Sequence, residues 1–89
     1  MYPTPEQLAA DETTPPDKLR ILAYESIELA RLVATNANAE PELLRELASS
    51  EDKPTREGVA TNPNTPSDVL LKLAGDFPHH FFSNPALSL

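Results

Sequence analysis

The chain has 89 residues, no cysteine, ten prolines against two glycines, and a formal net charge of −7 from fourteen acids and seven bases. That length allows one domain with a modest core, and the lack of thiols excludes disulfides, thiolate zinc sites and thiolate-held iron–sulfur clusters. The charge opposes direct binding of nucleic acid, which needs clustered Lys and Arg, whereas Lys18, Arg20, Arg31, Arg45, Lys53, Arg56 and Lys72 are spread among acids.

The N-terminus, Met1-Tyr2-Pro3-Thr4-Pro5-Glu6, is polar and does not read as a secretory signal. No apolar run approaches membrane-spanning length, so a soluble, cytoplasmic protein is expected. Thr4-Pro5-Glu6-Gln7 reads as a capping box leading into Leu8-Ala9, and residues 1–13 as an N-terminal cap. Thr14 then offers a helix N-cap, with proline at the first helical position and Asp17 behind it. The helix it opens runs roughly ten residues and places Leu19, Leu22 and Ala23 on one face. A shorter helical element follows at about Ile27–Thr35, with Ile27, Leu29, Ala30 and Val33 expected to be buried.

The second long helix starts near Ala39-Glu40-Pro41-Glu42. Ala39 is a poor cap, so Asn38, Glu40 or Glu42 must help there. Its apolar face is Leu44, Leu47 and Ala48. The next short element, about Thr55–Thr61, has only Val59 and Ala60 as clear core residues, which predicts no more than one or two turns. Thr65-Pro66-Ser67-Asp68 repeats the capping signal before Leu70, Leu73 and Ala74, and Gly75 suits a left-handed C-terminal cap. A last short element is expected at Pro78–Ser83.

These segments are copies of one unit. Val33-Ala34-Thr35-Asn36-Ala37-Asn38 returns as Val59-Ala60-Thr61-Asn62-Pro63-Asn64, with weaker copies at Leu8-Ala9-Ala10-Asp11 and Phe81-Phe82-Ser83-Asn84-Pro85. The period is about 25 residues, in the range of solenoid repeats. It divides a single domain, residues 1–89, into repeats 14–38, 39–64 and 65–84, with 85–89 beginning an incomplete one. On these residues the chain resembles the leucine-rich repeat variant family. Arg56, Val59-Ala60, Asn62-Pro63-Asn64-Thr65-Pro66 and Leu70-Leu71-Lys72-Leu73-Ala74 match that family's repeat almost throughout. Arg31, Val33-Ala34, Asn36 and Leu44 with Leu47-Ala48 match in part, Ala37 and Ala39 standing where the family has Pro and Thr. The resemblance spans about Thr14 to Pro85. It implies an all-α, short right-handed solenoid of alternating long α-helices and short 3₁₀-like helices. Some members of that family carry an iron–sulfur cluster on an added cysteine segment; without cysteine, no cofactor is expected here.

Few residues suggest chemistry. His79-His80 are adjacent, and neighbouring helical side chains diverge by about 100°, so they make a poor metal pair and no metal is expected. No Ser-His-Asp set, Gly-rich phosphate loop or catalytic carboxylate pair is recognisable, and the chain is expected not to be an enzyme. Asn36, Asn62 and Asn84 are expected to form a structural ladder, each side-chain amide bonding loop carbonyls of the neighbouring repeat. Leu19, Leu22, Leu44, Leu47, Leu70 and Leu73 form the expected repeat core. Arg31 and Arg56 fit ion pairs between repeats better than a catalytic role. Glu40, Glu42, Glu46, Glu51 and Asp52 read as a solvated face before they read as an imitation of a phosphate track.

The third long helix carries Val69 and Leu71 where earlier copies have Lys18 or Leu43 and Arg20 or Arg45, which widens its apolar surface. Beyond it the chain stops where a fourth long helix would begin, and a solenoid end needs a polar cap. This reads either as a fragment of a longer array, the simpler expectation, or as an end covered by another subunit. Leu71, Phe81, Phe82, Leu87 and Leu89 are therefore the candidate interaction surface. The function expected is a non-catalytic protein-interaction or scaffold module for a protein partner. Alternatives are a structural homo-oligomerisation module acting through the C-terminal end, for instance as a homodimer, and an acidic nucleic-acid mimic that binds a basic protein.

Overall fold

The computed structural model describes residues 2–77 and Asn84. Among the described residues there are six α-helices and no strand: α1 Pro5–Ala10, α2 Pro16–Ala23, α3 Ile27–Ala34, α4 Pro41–Leu47, α5 Lys53–Thr61 and α6 Ser67–Leu73. The chain is an all-α helical-repeat protein. Helices of this length are unstable alone, so each persists by burying its apolar stripe against neighbours.

The connecting helices differ from the expected short 3₁₀-like elements. α3 and α5 are regular α-helices of eight and nine residues, as long as or longer than α2, α4 and α6 with eight, seven and seven. Their starting signals explain this. The Ser26 side chain accepts the N–H of Leu29, and the Asp52 side chain accepts that of Thr55. Pro54 lies in the first turn of α5, where a missing N–H costs nothing. The helix therefore begins two residues before Thr55, ahead of its first apolar position.

The expected threonine caps are also replaced. Pro15 and Pro66 are the N-caps of α2 and α6, with no side-chain cap bond. Thr14 and Thr65 lie one residue earlier and point inward, 4% and 2% exposed. Their hydroxyls donate to the carbonyls of Leu8 and Val59, each at 2.6 Å. Each thus fastens the start of an even-numbered helix to the end of the odd-numbered helix before it. The Thr4–Gln7 capping box of α1 has both of its reciprocal bonds. Gly75 does not adopt the left-handed conformation expected of it, and no residue does among those described.

α1, α3 and α5 pack side by side, and α2, α4 and α6 alternate with them without comparable mutual contact among the described residues. Small side chains set the difference. A Cβ at Gly58 on α5 would come within 2.9 Å of the Ala34 Cβ on α3, so these backbones touch where no larger residue fits. Leu19, Leu22, Leu43, Leu44, Leu47, Val69 and Leu73 project from the even-numbered helices into the same core as Val33 and Val59. The chain measures 44 × 24 × 19 Å, the elongation that side-by-side addition of helices produces.

Candidate interaction surface

The turn after each odd-numbered helix is the most regular feature of the molecule. The N–H groups of Thr14, Ala39 and Thr65 donate to the carbonyls of Asp11, Asn36 and Asn62 at 3.1, 3.1 and 3.2 Å. Asn36 Nδ2 reaches the carbonyls of Ala9 and Asp11 at 2.8 and 2.9 Å. Asn62 Nδ2 reaches those of Ala34 and Asn36 at 2.9 and 2.8 Å. Asn84 Nδ2 donates to Ala60 and, at 3.1 Å, to Asn62. All three asparagines are buried. Each amide therefore satisfies carbonyls at the end of the preceding odd-numbered helix, groups that have no partner within that helix.

Asp11 occupies the first rung. Its carboxylate cannot donate, and it accepts instead from the N–H and hydroxyl of Thr13 at 2.8 and 2.7 Å, which hold its pKa below the usual value. No earlier helix end precedes it among the described residues, so the amide donor has no task there.

A second ladder, which the sequence reading did not identify, runs beside the first. Asn38 Nδ2 donates to Thr14 O at 2.7 Å, and Asn64 Nδ2 donates to Ala37 O. The N–H groups of these residues bond Oδ1 of Asn36 and Asn62 at 2.8 and 2.9 Å. The spacing Asn-x-Asn in both copies carried the signal. Among the described residues, every buried side-chain nitrogen or oxygen has a hydrogen-bond partner.

Ion pairs link successive repeats on the outside. Arg20 on α2 meets Glu46 on α4 at 2.8 Å, and Arg45 on α4 pairs with Asp68 on α6. Arg31 on α3 pairs at 2.8 Å with Asp52, the N-cap of α5. Arg56 on α5 lies 3.8 Å from Asp76 and also donates to Ser50 O at 2.7 Å. Arg31, then Thr55, hold the Asp52 carboxyl well below the usual carboxylate range. The Tyr24 hydroxyl, then Arg20, lower that of Glu46, and Arg45 lowers that of Asp68. Exposed pairs contribute little singly, but Arg20–Glu46 and Arg45–Asp68 join α2 to α4 and α4 to α6, which lack the direct packing that α3 makes with α5. Two acids of the expected solvated track, Glu46 and Asp52, are thus engaged.

The core leucines Leu19, Leu22, Leu44, Leu47, Leu70 and Leu73 are buried. Val69 is 2% exposed, so the widened surface expected on α6 reduces to Leu71, which is 63% exposed. Val69 is buried like Leu43, its counterpart on α4. Phe81, Phe82, Leu87, Leu89 and the pair His79-His80 lie outside the described residues. Among those described, no three His, Cys, Asp or Glu side chains are grouped to hold a metal ion, and no helix is long and apolar enough to cross a membrane.

A concavity among the described residues lies elsewhere. An open groove of about 370 Å³ lies between the α2–α3 corner and the C-terminal end of α4. Ala23, Ala30 and Leu47 are among its apolar lining residues, with Tyr24, Ile27, Glu46, Ser49 and Ser50 around them. Ile27, expected to be buried, is 55% exposed, and Tyr24 is 64% exposed. Ile27 is the first residue of α3 and lies at the edge of the stripe formed by Leu29, Ala30, Val33 and Ala34. The Tyr24 hydroxyl donates to Glu46, itself held by Arg20.

Residues 3–60 match the Leucine Rich Repeat Variant domain model, and residues 55–77 match the Leucine rich repeat variant model. No curated protein and no solved structure matches the chain.

Proposed function

The chain belongs to the leucine rich repeat variant family, and from that premise we propose that it is a non-catalytic interaction module whose protein partner docks in the groove beside Tyr24 and Ile27. The observation that carries this is the pair of large side chains left exposed at the rim of a concavity, on a scaffold whose turns are fixed by asparagine ladders. A tyrosine tethered through its hydroxyl loses little freedom on binding, which favours Tyr24 as an anchor, and Ile27 beside it adds exposed apolar surface. The repeat boundaries 14–38, 39–64 and 65–84 and a cytoplasmic setting belong to the same proposal.

The test places a photo-cross-linking amino acid at Ile27 or, as a control, at exposed Glu12 of the intact chain in its native cells. A discrete adduct from the first position alone, whose purified protein component binds wild type and loses affinity for Ile27→Ser, supports the assignment. Equal adducts from both positions, or none from Ile27, would remove it.

A further inference from the structure

Resting on that assignment, we propose that the groove takes a cationic segment of a protein partner: an apolar side chain seated among Tyr24, Ile27 and Leu47, flanked by Lys or Arg. The lining supports the apolar half. Ala23 and Ala30 leave space that longer residues would fill, while Leu47 and the faces of Tyr24 and Ile27 supply apolar contact. A concavity of about 370 Å³ suits one or two side chains.

Charge supports the other half. All four arginines are engaged within the molecule, with Glu46, Asp52, Asp68 and Asp76. Setting aside these four pairs from fourteen acids and seven bases leaves ten carboxylates against three lysines. The surplus negative charge therefore lies on acids other than Glu46, Asp52, Asp68 and Asp76. Three of them, Glu25, Glu28 and Glu51, are exposed and are chain neighbours of Tyr24, Ser26, Ile27 and Ser50 in the groove wall. Lys53 is the one lysine near these segments in sequence, at the start of α5. Exposed acids next in the chain to an apolar floor attract a basic segment over distance and repel an acidic one, which sets specificity and on-rate.

Fluorescence anisotropy on the intact protein tests this with two labelled peptides: a central Leu pair flanked by lysines, and the same peptide flanked by glutamates. Saturable binding is expected for the first alone, weakening as salt rises. Ile27→Ser should weaken it by at least about tenfold. Glu25→Gln/Glu28→Gln/Glu51→Gln should weaken it several-fold and flatten its salt dependence. Circular dichroism establishes that both variants stay folded. Absence of saturable binding, equal binding of the glutamate peptide, or unchanged affinity of Ile27→Ser overturns the proposal. If the Ile27 cross-link to a partner persists while the lysine peptide fails, only the cationic chemistry falls; if both fail, the groove is not a docking site.

Discussion

Asn62 donates its side-chain amide to the backbone carbonyl of Asn36 at 2.8 Å, so one rung of the ladder rests on the turn that holds the previous rung. The same amide reaches Ala34 O at 2.9 Å, and its oxygen accepts Asn64 N–H at 2.9 Å. Asn62→Ala removes all three bonds in a buried site and should cost roughly 2–4 kcal/mol. For a domain of this size that is a large share of a total of roughly 5–15 kcal/mol. Asn62→Asp keeps the shape but turns a carboxylate toward two carbonyls. That group's folded-state pKa should be raised, so its penalty is greatest at neutral pH and eases as pH falls through that pKa. Urea unfolding followed by circular dichroism should rank Asn62→Asp below Asn62→Ala at neutral pH. A wild-type midpoint for Asn62→Asp would show that the amide donor carries nothing.

Gly58 and Gly75 separate a packing role from a helix-propensity role. A methyl at Gly58 meets Ala34 Cβ at 2.9 Å and Thr35 Cγ2 at 3.1 Å, whereas at Gly75 it meets nothing within 4 Å. Alanine gains about 1 kcal/mol over glycine inside a helix, but overpacking between two backbones costs about 1–3 kcal/mol. Gly58→Ala should therefore be destabilising, by up to about 2 kcal/mol. Gly75→Ala should be neutral or slightly stabilising, by up to about 1 kcal/mol. Thermal melts of the two variants decide the matter, and a stabilised Gly58→Ala would mean that α3 and α5 are not in close contact there.

Thr65 offers a similar contrast. At an N-cap, aspartate is among the best residues and Thr65→Asp would be tolerated. The hydroxyl is instead buried and donates to Val59 O at 2.6 Å. Thr65→Val should cost about 1 kcal/mol, since Val59 O keeps the N–H of Asn62. Thr65→Asp should cost more, because it buries a carboxylate beside that carbonyl. Reversal of this order in denaturant titrations would restore Thr65 to a capping role.

Much of the fold was legible because the repeat aligns residues that do the same work. Val59-Ala60-Thr61-Asn62 and Val33-Ala34-Thr35-Asn36 announce a helix that ends in a buried asparagine, and the leucine faces announce helices that share one core. The character of α3 and α5 was harder to read. Their starting signals, Ser26 and Asp52, are polar residues ahead of the apolar stripe, and Pro54 and Gly58 lower apparent helix propensity without breaking the helix. The threonines depart from the expected caps for a related reason: Thr-Pro is a sound local cap, and only a tertiary acceptor, Leu8 O or Val59 O, turns the hydroxyl inward. Exposure of Ile27 depends on how α4 sits against the α2–α3 corner, which no local pattern encodes.

Asp52 combines two functions that substitutions and acid can separate. It caps α5 by accepting Thr55 N–H and pairs with Arg31 from the preceding repeat. Asparagine caps as well as aspartate, so Asp52→Asn should keep the cap and lose the ion pair, whereas Asp52→Ala loses both. The melting temperature should fall in the order wild type, Asp52→Asn, Asp52→Ala. The Asp52 carboxyl, like those of Glu46 and Asp68, has its pKa depressed in the folded state. Stability from a depressed acid is fully present above its unfolded pKa, about 4, and is lost as pH falls through the folded value. Wild type should therefore weaken progressively below about pH 4, and Asp52→Asn should show a shallower decline over the same range. Melting temperatures measured across that window by circular dichroism check both statements. An acid slope for Asp52→Asn as steep as that of wild type would place the titration on other carboxylates and leave Asp52 as a cap alone.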